Sequence, residues 1–272
     1  MMLKAFYSPS YVCTGYEFDT TRKAKWVADS LVESPIPGVV LEEPPPVSHA
    51  QLALAHDADY IRAVQTGAPR KLAESQGFTW DPDVWQMAVA TNGGVVAAAT
   101  AALEHGAAGS LSSGLHHARQ AAGEGFCTFN GLAIAARVAL AAGARAILIL
   151  DLDAHFGGGT QSLIADDARI WQVDVSVSDF DQYPPSERAW SCLVRDPADY
   201  LPTIERRLKE LEHYAPRFDL CLYNAGMDPY EHCPMGWLSG ITQEMLNARE
   251  RMVFGWCRSQ RLPVALALAA RV

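Results

Sequence analysis

The chain has 272 residues, with 31 acidic against 22 basic side chains, a formal net charge of -9, and hydrophobic and charged fractions of 49% and 19%. These are the proportions of a globular protein with room for a well-buried core. The negative balance argues against a general nucleic-acid binder, which needs a basic face to displace counterions, and suits a cationic or neutral substrate better than an anionic one. Six cysteines, at 13, 127, 192, 221, 233 and 257, show no Cys-x-x-Cys spacing. They read as small residues of a reducing, cytoplasmic compartment. The amino terminus lacks a basic region followed by a sustained apolar run, so no signal peptide is expected. The longest apolar stretches, 131–142 and 263–270, are too short to span a bilayer, and no membrane partner is expected.

In chain order, Leu3 to Tyr7 reads as a first strand, followed by a polar loop to Tyr16. Asp19 caps a helix through Trp26, Val27 and Leu31. Val39 to Leu41 is a short strand closed by the Glu42-Glu-Pro-Pro-Pro46 run, which no helix tolerates. Ser48 caps a helix from His49 to Val64, residues 71–83 are irregular, and Asp83 opens a long small-residue helix to Leu103. A loop covers 106–124, a helix 131–142, and a buried strand 146–150. Trp171 to Val177 is a strand, Tyr200 to His213 a helix, Phe218 to Tyr223 a strand, Glu244 to Gln260 a helix and Leu262 to Ala269 a last strand. The alternation without linker or repeat predicts one α/β domain, a three-layer α/β/α arrangement around a doubly wound parallel sheet.

Chemistry concentrates at the ends of apolar strands. Asp151, Asp153 and His155 follow the apolar run 146–150, and residues two apart share a face, so all three point one way at a strand's carboxyl end. Open α/β sheets keep their ligands there. Asp228 follows another strand in the same way. Asp153, His155 and Asp228 together offer three ligands and leave a position open, as a catalytic zinc requires. Adjacent His116 and His117, in a glycine-rich loop, can act as base and acid to an activated water.

The order of motifs is recognisable. His116-His117, then Gly125-Phe-Cys-Thr-Phe-Asn130, then Asp151-Leu-Asp-Ala-His155 with Gly159-Thr-Gln161, then Ala225-Gly-Met-Asp228, resembles the histone deacetylase family within the arginase-deacetylase fold. The resemblance runs over nearly the whole chain, including His56 to Val64 and Pro234 to Leu238, and implies one deacetylase-like domain over 1–272. It implies zinc on Asp153, His155 and Asp228, and a catalytic set of His116 and His117 with Asp151 orienting His116. A narrow acyl-lysine channel would be walled by Gly125 and Phe126, and on the other side by the 180–185 loop, with Tyr183 as its aromatic. The resemblance further implies a potassium ion held by main-chain oxygens of Asp151, Asp153 and His155 and by the Ser176 hydroxyl. Arginases share the fold, but the acids that would hold their second manganese are replaced here by Gly157 and Tyr230, so a single zinc is expected.

Two positions depart from the family pattern. The acid or amide three residues after the metal-ligand histidine, which supports the second catalytic histidine, is Gly158, so His117 must lean on another polar group or a water. The glycine-rich loop with a tyrosine that follows the last strand is not matched in Ala270-Arg-Val272, so the domain reads as truncated at its carboxyl end, with weaker oxyanion stabilisation, an uncovered sheet edge and room for homo-oligomer contacts. Tyr230 is the one nearby candidate to replace that tyrosine. The expected function is zinc-dependent removal of an acyl group from a small-molecule or peptide acyl-amine, such as acetyl-lysine or an acetylated polyamine. The alternatives are a weak or inactive zinc-binding homologue and a mononuclear metal hydrolase of another amide or ester. Rim acids Glu42, Glu43, Asp179, Asp181 and Glu231 are candidates to attract a cation.

Overall fold

The computed structural model describes residues 2–14, 19–236 and 238–269. Its elements are β1 (Leu3–Phe6), a 3-10 turn at Pro9–Val12, α1 (Asp19–Glu33), β2 (Val39–Glu42), α2 (His49–Leu52), α3 (Ala58–Thr66), α4 (Arg70–Ala73), α5 (Pro82–His105), β3 (Ala107–Ser110) and α6 (Gly131–Ala141). There follow β4 (Ile147–Asp151), α7 (Gly158–Ile164), β5 (Ile170–Ser176), β6 (Ala189–Leu193), a 3-10 turn at Pro197–Asp199, α8 (Tyr200–Tyr214), β7 (Leu220–Gly226), α9 (Gln243–Gln260) and β8 (Val264–Ala269). Among the described residues the eight strands form one sheet in the order β2-β1-β3-β8-β7-β4-β5-β6, and every pairing is parallel. All carboxyl ends therefore share one rim.

Alternation along β4 builds two cores. Ile147 and Ile149 pack into the layer that holds the α5 and α6 side chains, while Leu148 and Leu150 pack into the layer of α8 and α9. Each fully buried aliphatic side chain is worth roughly 1.5–3 kcal/mol. α5 starts on Asp81, whose carboxylate accepts from the amides of Asp83 (2.7 Å) and Val84 (3.1 Å), with Pro82 at the first helical position. By length and composition α5 is long and apolar enough to cross a membrane, contrary to the sequence expectation, and 72% of its most apolar window is buried in the fold. Its small residues permit close approach: a Cβ at Gly93 would run into the Pro45 carbonyl.

Several boundaries differ from expectation for physical reasons. The helix expected over 49–64 breaks into α2 and α3, because His56 turns inward to bond the Arg119 carbonyl and the Asn130 amide. The loop expected over 106–124 begins with β3, whose Ala-Ala-Gly-Ser sequence carries no apolar alternation but fills the slot between β1 and β8. β6 and the short helices α4 and α7 were likewise silent in the pattern. Trp26 is exposed and α1 instead buries Ala24 and Ala28. β8 lies between β3 and β7, so it is no edge strand; the edges are β2 and β6. Residues 270–272 lie outside the described residues.

Arg249 on α9 ties the rim together from below. Fully buried, it donates to the carbonyls of Leu152 (3.1 Å) and Gly226 (2.7 Å) and to the Tyr200 hydroxyl (3.0 Å), and it pairs with Glu250 at 2.5 Å. Replacing it strands two buried carbonyls where β4 and β7 end. Arg249→Met is expected to lower stability by about 3 kcal/mol, read from the midpoint of urea denaturation.

Candidate active site at the rim of β4 and β7

β4 ends at Asp151, and residues 152–155 leave the sheet in a bend, so Asp153 and His155 are carried by the turn rather than by the strand itself. Asp228 lies two residues beyond β7, which pairs with β4 in register Asp151 to Asn224. This neighbouring of two strand ends brings one ligand atom each of Asp153, His155 and Asp228 within 4.8 Å of one another. His155 Nδ1 stands 3.1 Å from Asp153 Oδ1 and 3.2 Å from Asp228 Oδ2. Burial, with Asp153 alongside, raises the Asp228 carboxyl to about 6. Burial works against the His155 imidazolium, but hydrogen bonds to Asp153 and Asp228 raise it to about 10. Two carboxylate oxygens and one imidazole nitrogen converging in this way suit zinc or a similar divalent cation.

His116 and His117 come from the loop after β3, both buried, with ring centroids 4.0 Å apart. A carboxylate can only accept, so each imidazole donates from Nδ1: His116 to Asp151 Oδ2 at 2.7 Å, His117 to Asp181 Oδ2 at 2.9 Å. The other Asp151 oxygen accepts from Asn224 Nδ2 (2.9 Å) and the Asp153 amide (3.2 Å). His116 Nε2 then lies 3.7 Å from Asp153 Oδ1. Burial opposes charge on both rings, but Asp151 and Asp153 raise His116 to about 10, whereas burial and the neighbouring His116 lower His117 to about 4. These shifts hold His116 toward its charged form and His117 toward its neutral form; a divalent cation beside Asp153 would oppose the charge on His116 and lower it. Gly158 supplies no side chain to His117, as expected from sequence; the supporting carboxylate arrives from the loop after β5.

The family model for the histone deacetylase domain matches residues 18–269. The chain belongs to the histone deacetylase family. It is 34% identical over 228 residues to an uncharacterized protein of Picosynechococcus sp., covering 80% of this chain and 74% of that one. It is 27% identical over 259 residues to histone deacetylase 2 of Arabidopsis thaliana, covering 88% of this chain and 64% of the plant protein. An acetylpolyamine aminohydrolase from Burkholderia pseudomallei shares the fold, with a TM-score of 0.80 over 98% of this chain and 92% of that chain at 19% identity.

In this histone deacetylase family member the aromatic beside the histidines is Phe180, not Tyr183. Phe180 is 45% exposed and meets the rings of His117 and His155 edge-on at 5.0 and 5.8 Å. Tyr183 is buried under the loop against Phe156 and Ala189, because the chain turns at Asp181 and directs it inward. Gly125 lies against His117, where a Cβ would stand 2.5 Å from Cδ2, and Phe126 beside it is half exposed. The Ser176 hydroxyl donates to the His155 carbonyl at 3.1 Å. The rim acids do not form a common patch: Glu42 pairs with Lys4, Glu43 accepts from Ser8, Asp179 reaches toward Arg195, and Asp181 is turned in. Tyr230 packs on the α8–α9 core and on His232.

Three residues of the site escaped sequence reasoning. Asn224, the residue just before the Ala225-Gly-Met-Asp228 motif, donates to Asp151 and offers no local signal of that role. Lys23 sits on α1, buried, its ammonium lowered to about 7 by burial although Asp153 and Asp228 pull the other way. His56 props the histidine loop: its Nε2 accepts from the Asn130 amide at 2.9 Å, so Nδ1 donates to the Arg119 carbonyl at 2.9 Å. Asn130 in turn donates to the carbonyls of His116 and Ala118. Burial lowers His56 to about 4. Between that value and the ordinary one near 6.5 the unfolded chain takes the proton first, so stability falls as pH drops through this window. The His56 share is roughly 3 kcal/mol. Denaturation of the wild type and of His56→Asn at pH 7 and pH 4.5 should show a shallower loss in the variant.

Proposed function

We propose that the chain is a zinc-dependent hydrolase that removes an acyl group from a primary amine, such as acetyl-lysine or an acetylated polyamine. The observation that carries this reading is the convergence of Asp153, His155 and Asp228 beside two imidazoles, each braced at Nδ1 by a buried carboxylate. A zinc ion held by those three residues would supply a Lewis acid for the acyl oxygen and make water acidic enough to be deprotonated near neutral pH. His116 in its neutral form takes the proton of the attacking water at Nε2, while Asp151 stabilises the imidazolium that results. His117, once its Nε2 has taken up the proton that His116 removed from the water, delivers it to the leaving nitrogen as the carbon–nitrogen bond breaks. Phe180 on one side and Gly125 with Phe126 on the other border the acyl-amine, and the burial of both imidazoles keeps water from competing for their protons. The carbonyls of Asp151, Asp153 and His155 with the Ser176 hydroxyl are the groups that would hold a potassium ion. One ground for the inactive-homologue reading, an unsupported His117, falls away with the Asp181 contact.

The zinc-loaded chain is expected to hold one zinc by elemental analysis and Asp228→Ala to hold none; two manganese ions per chain would overturn the assignment. His116→Ala should cut hydrolysis of a fluorogenic acetyl-lysine amide by about a hundredfold or more while retaining the metal. Loss of zinc from that variant would mean that ligand and base have been exchanged.

A further inference from the structure

The loop after β5 delivers Asp181 to a place that the local sequence around the metal-ligand histidine leaves empty. Its side chain is 2% exposed, and both carboxylate oxygens are engaged. Oδ2 accepts from His117 Nδ1 at 2.9 Å and from the Gly159 amide at 3.0 Å; Oδ1 pairs with Arg119 Nη2. Arg119 is itself fixed by Glu124 at 2.7 Å and donates to the Gly158 carbonyl at 3.3 Å. Asp181 adopts φ of +58°, a left-handed conformation that costs a non-glycine residue energy and persists where the surroundings demand it. A Cβ at Gly158 would overlap the Asp181 carbonyl and carboxylate oxygens and come within 2.8 Å of its Cγ. The two positions compete for one volume.

We propose that Asp181 is the positioning residue for His117, fixing its Nδ1–H form so that Nε2 faces the reacting atoms, and that glycine at 158 is the condition for this. The inference rests on the reading of His117 as the proton donor to the leaving amine. Each histidine is then braced by its own carboxylate, His116 from the end of β4 and His117 from the loop after β5. A carboxylate at Nδ1 both selects the tautomer and stabilises the protonated ring, which an acid catalyst must become before it gives its proton away. The Arg119 pairing keeps Asp181 aimed, which a flexible loop acid would not be. This differs from a structural staple between loops, in which Asp181 serves Arg119 and the contact with His117 is incidental.

The test uses the zinc-loaded full chain with Asp181→Ala, Asp181→Asn, Gly158→Asn and the double variant Gly158→Asn/Asp181→Gly. The readout independent of activity is the nitrogen-15 signature of the His117 ring. Wild type should show a single Nδ1–H form, Asp181→Ala a mixture of tautomers, and the double variant a single form again. On an acetyl-lysine amide, Asp181→Ala should lower kcat by roughly ten- to a hundredfold with KM little changed and zinc content intact. Gly158→Asn alone should be impaired, and the double variant should recover most of the loss. Asp181→Asn, which keeps the shape and one acceptor, should fall between wild type and Asp181→Ala and alter the acidic side of the pH profile. An unchanged His117 tautomer in Asp181→Ala, or Gly158→Asn behaving as wild type, would overturn the proposal. If the tautomer shifts as expected while wild type hydrolyses no acyl-amide, the placement of Asp181 stands and the proposed function fails.

Discussion

Negative charge buried at one rim of the sheet is the constraint around which the rest of the molecule is arranged. Asp151, Asp153, Asp174 and Asp228 are all between 0 and 3% exposed. Asp151 stands in register with Asp174 on β5 and Asn224 on β7. An ionised carboxylate taken out of water without partners costs several kcal/mol. The chain meets that cost differently at each acid. Asp151 receives an imidazole, an amide side chain and a backbone amide. Asp174 is pushed well above the ordinary carboxylate range by burial and by Asp151, and it accepts from the Gly157 amide and from Gln172. Asp153 and Asp228 share His155.

Two buried cations reach this rim from different directions. Arg249 approaches from α9 and bonds the carbonyls that end β4 and β7, so the turns carrying Asp153 and Asp228 are anchored to a helix in the layer beneath. Lys23 approaches from α1, at the other side of the fold, and feels the same two acids. The rim acids thus act on a buried lysine while a buried arginine holds the backbone that carries them, and such sites are where perturbed titration marks function. The two neighbouring histidines are separated by their own surroundings: Asp151 and Asp153 hold His116 toward its charged form, while burial and His116 hold His117 toward its neutral form.

Bracing explains why the loops here are not free to vary independently. The His116-His117 segment is held through Asn130 and His56 to α6 and α3, and through Asp181 and Arg119 to the loop after β5. That loop also places Phe180 over the rings of His117 and His155. A shift of the Asp181 turn would therefore move an imidazole support and an aromatic wall together, which couples the shape of the substrate's path to the proton chemistry beneath it.

Much of this was legible in the amino-acid sequence. Apolar runs such as Ile147 to Leu150 announced buried parallel strands, and the acids directly after them announced a rim site, because a strand's end and its following turn are local features. Ligand types and the histidine pair followed from the same short stretches. What lay beyond the sequence was long-range placement. β3 has no hydrophobic period and became a strand only because β1 and β8 left a slot for it. Phe180 and Tyr183 are three residues apart in one loop, and only the left-handed turn at Asp181 decided which faced the site and which entered the core. Asp181 read as a solvated rim acid, since its partners are 64 and 62 residues away and the vacancy it fills is defined by a missing side chain at Gly158. Local composition determines which chemistry a segment can offer; the tertiary structure alone determines which segments share a volume, because two side chains cannot occupy the same one.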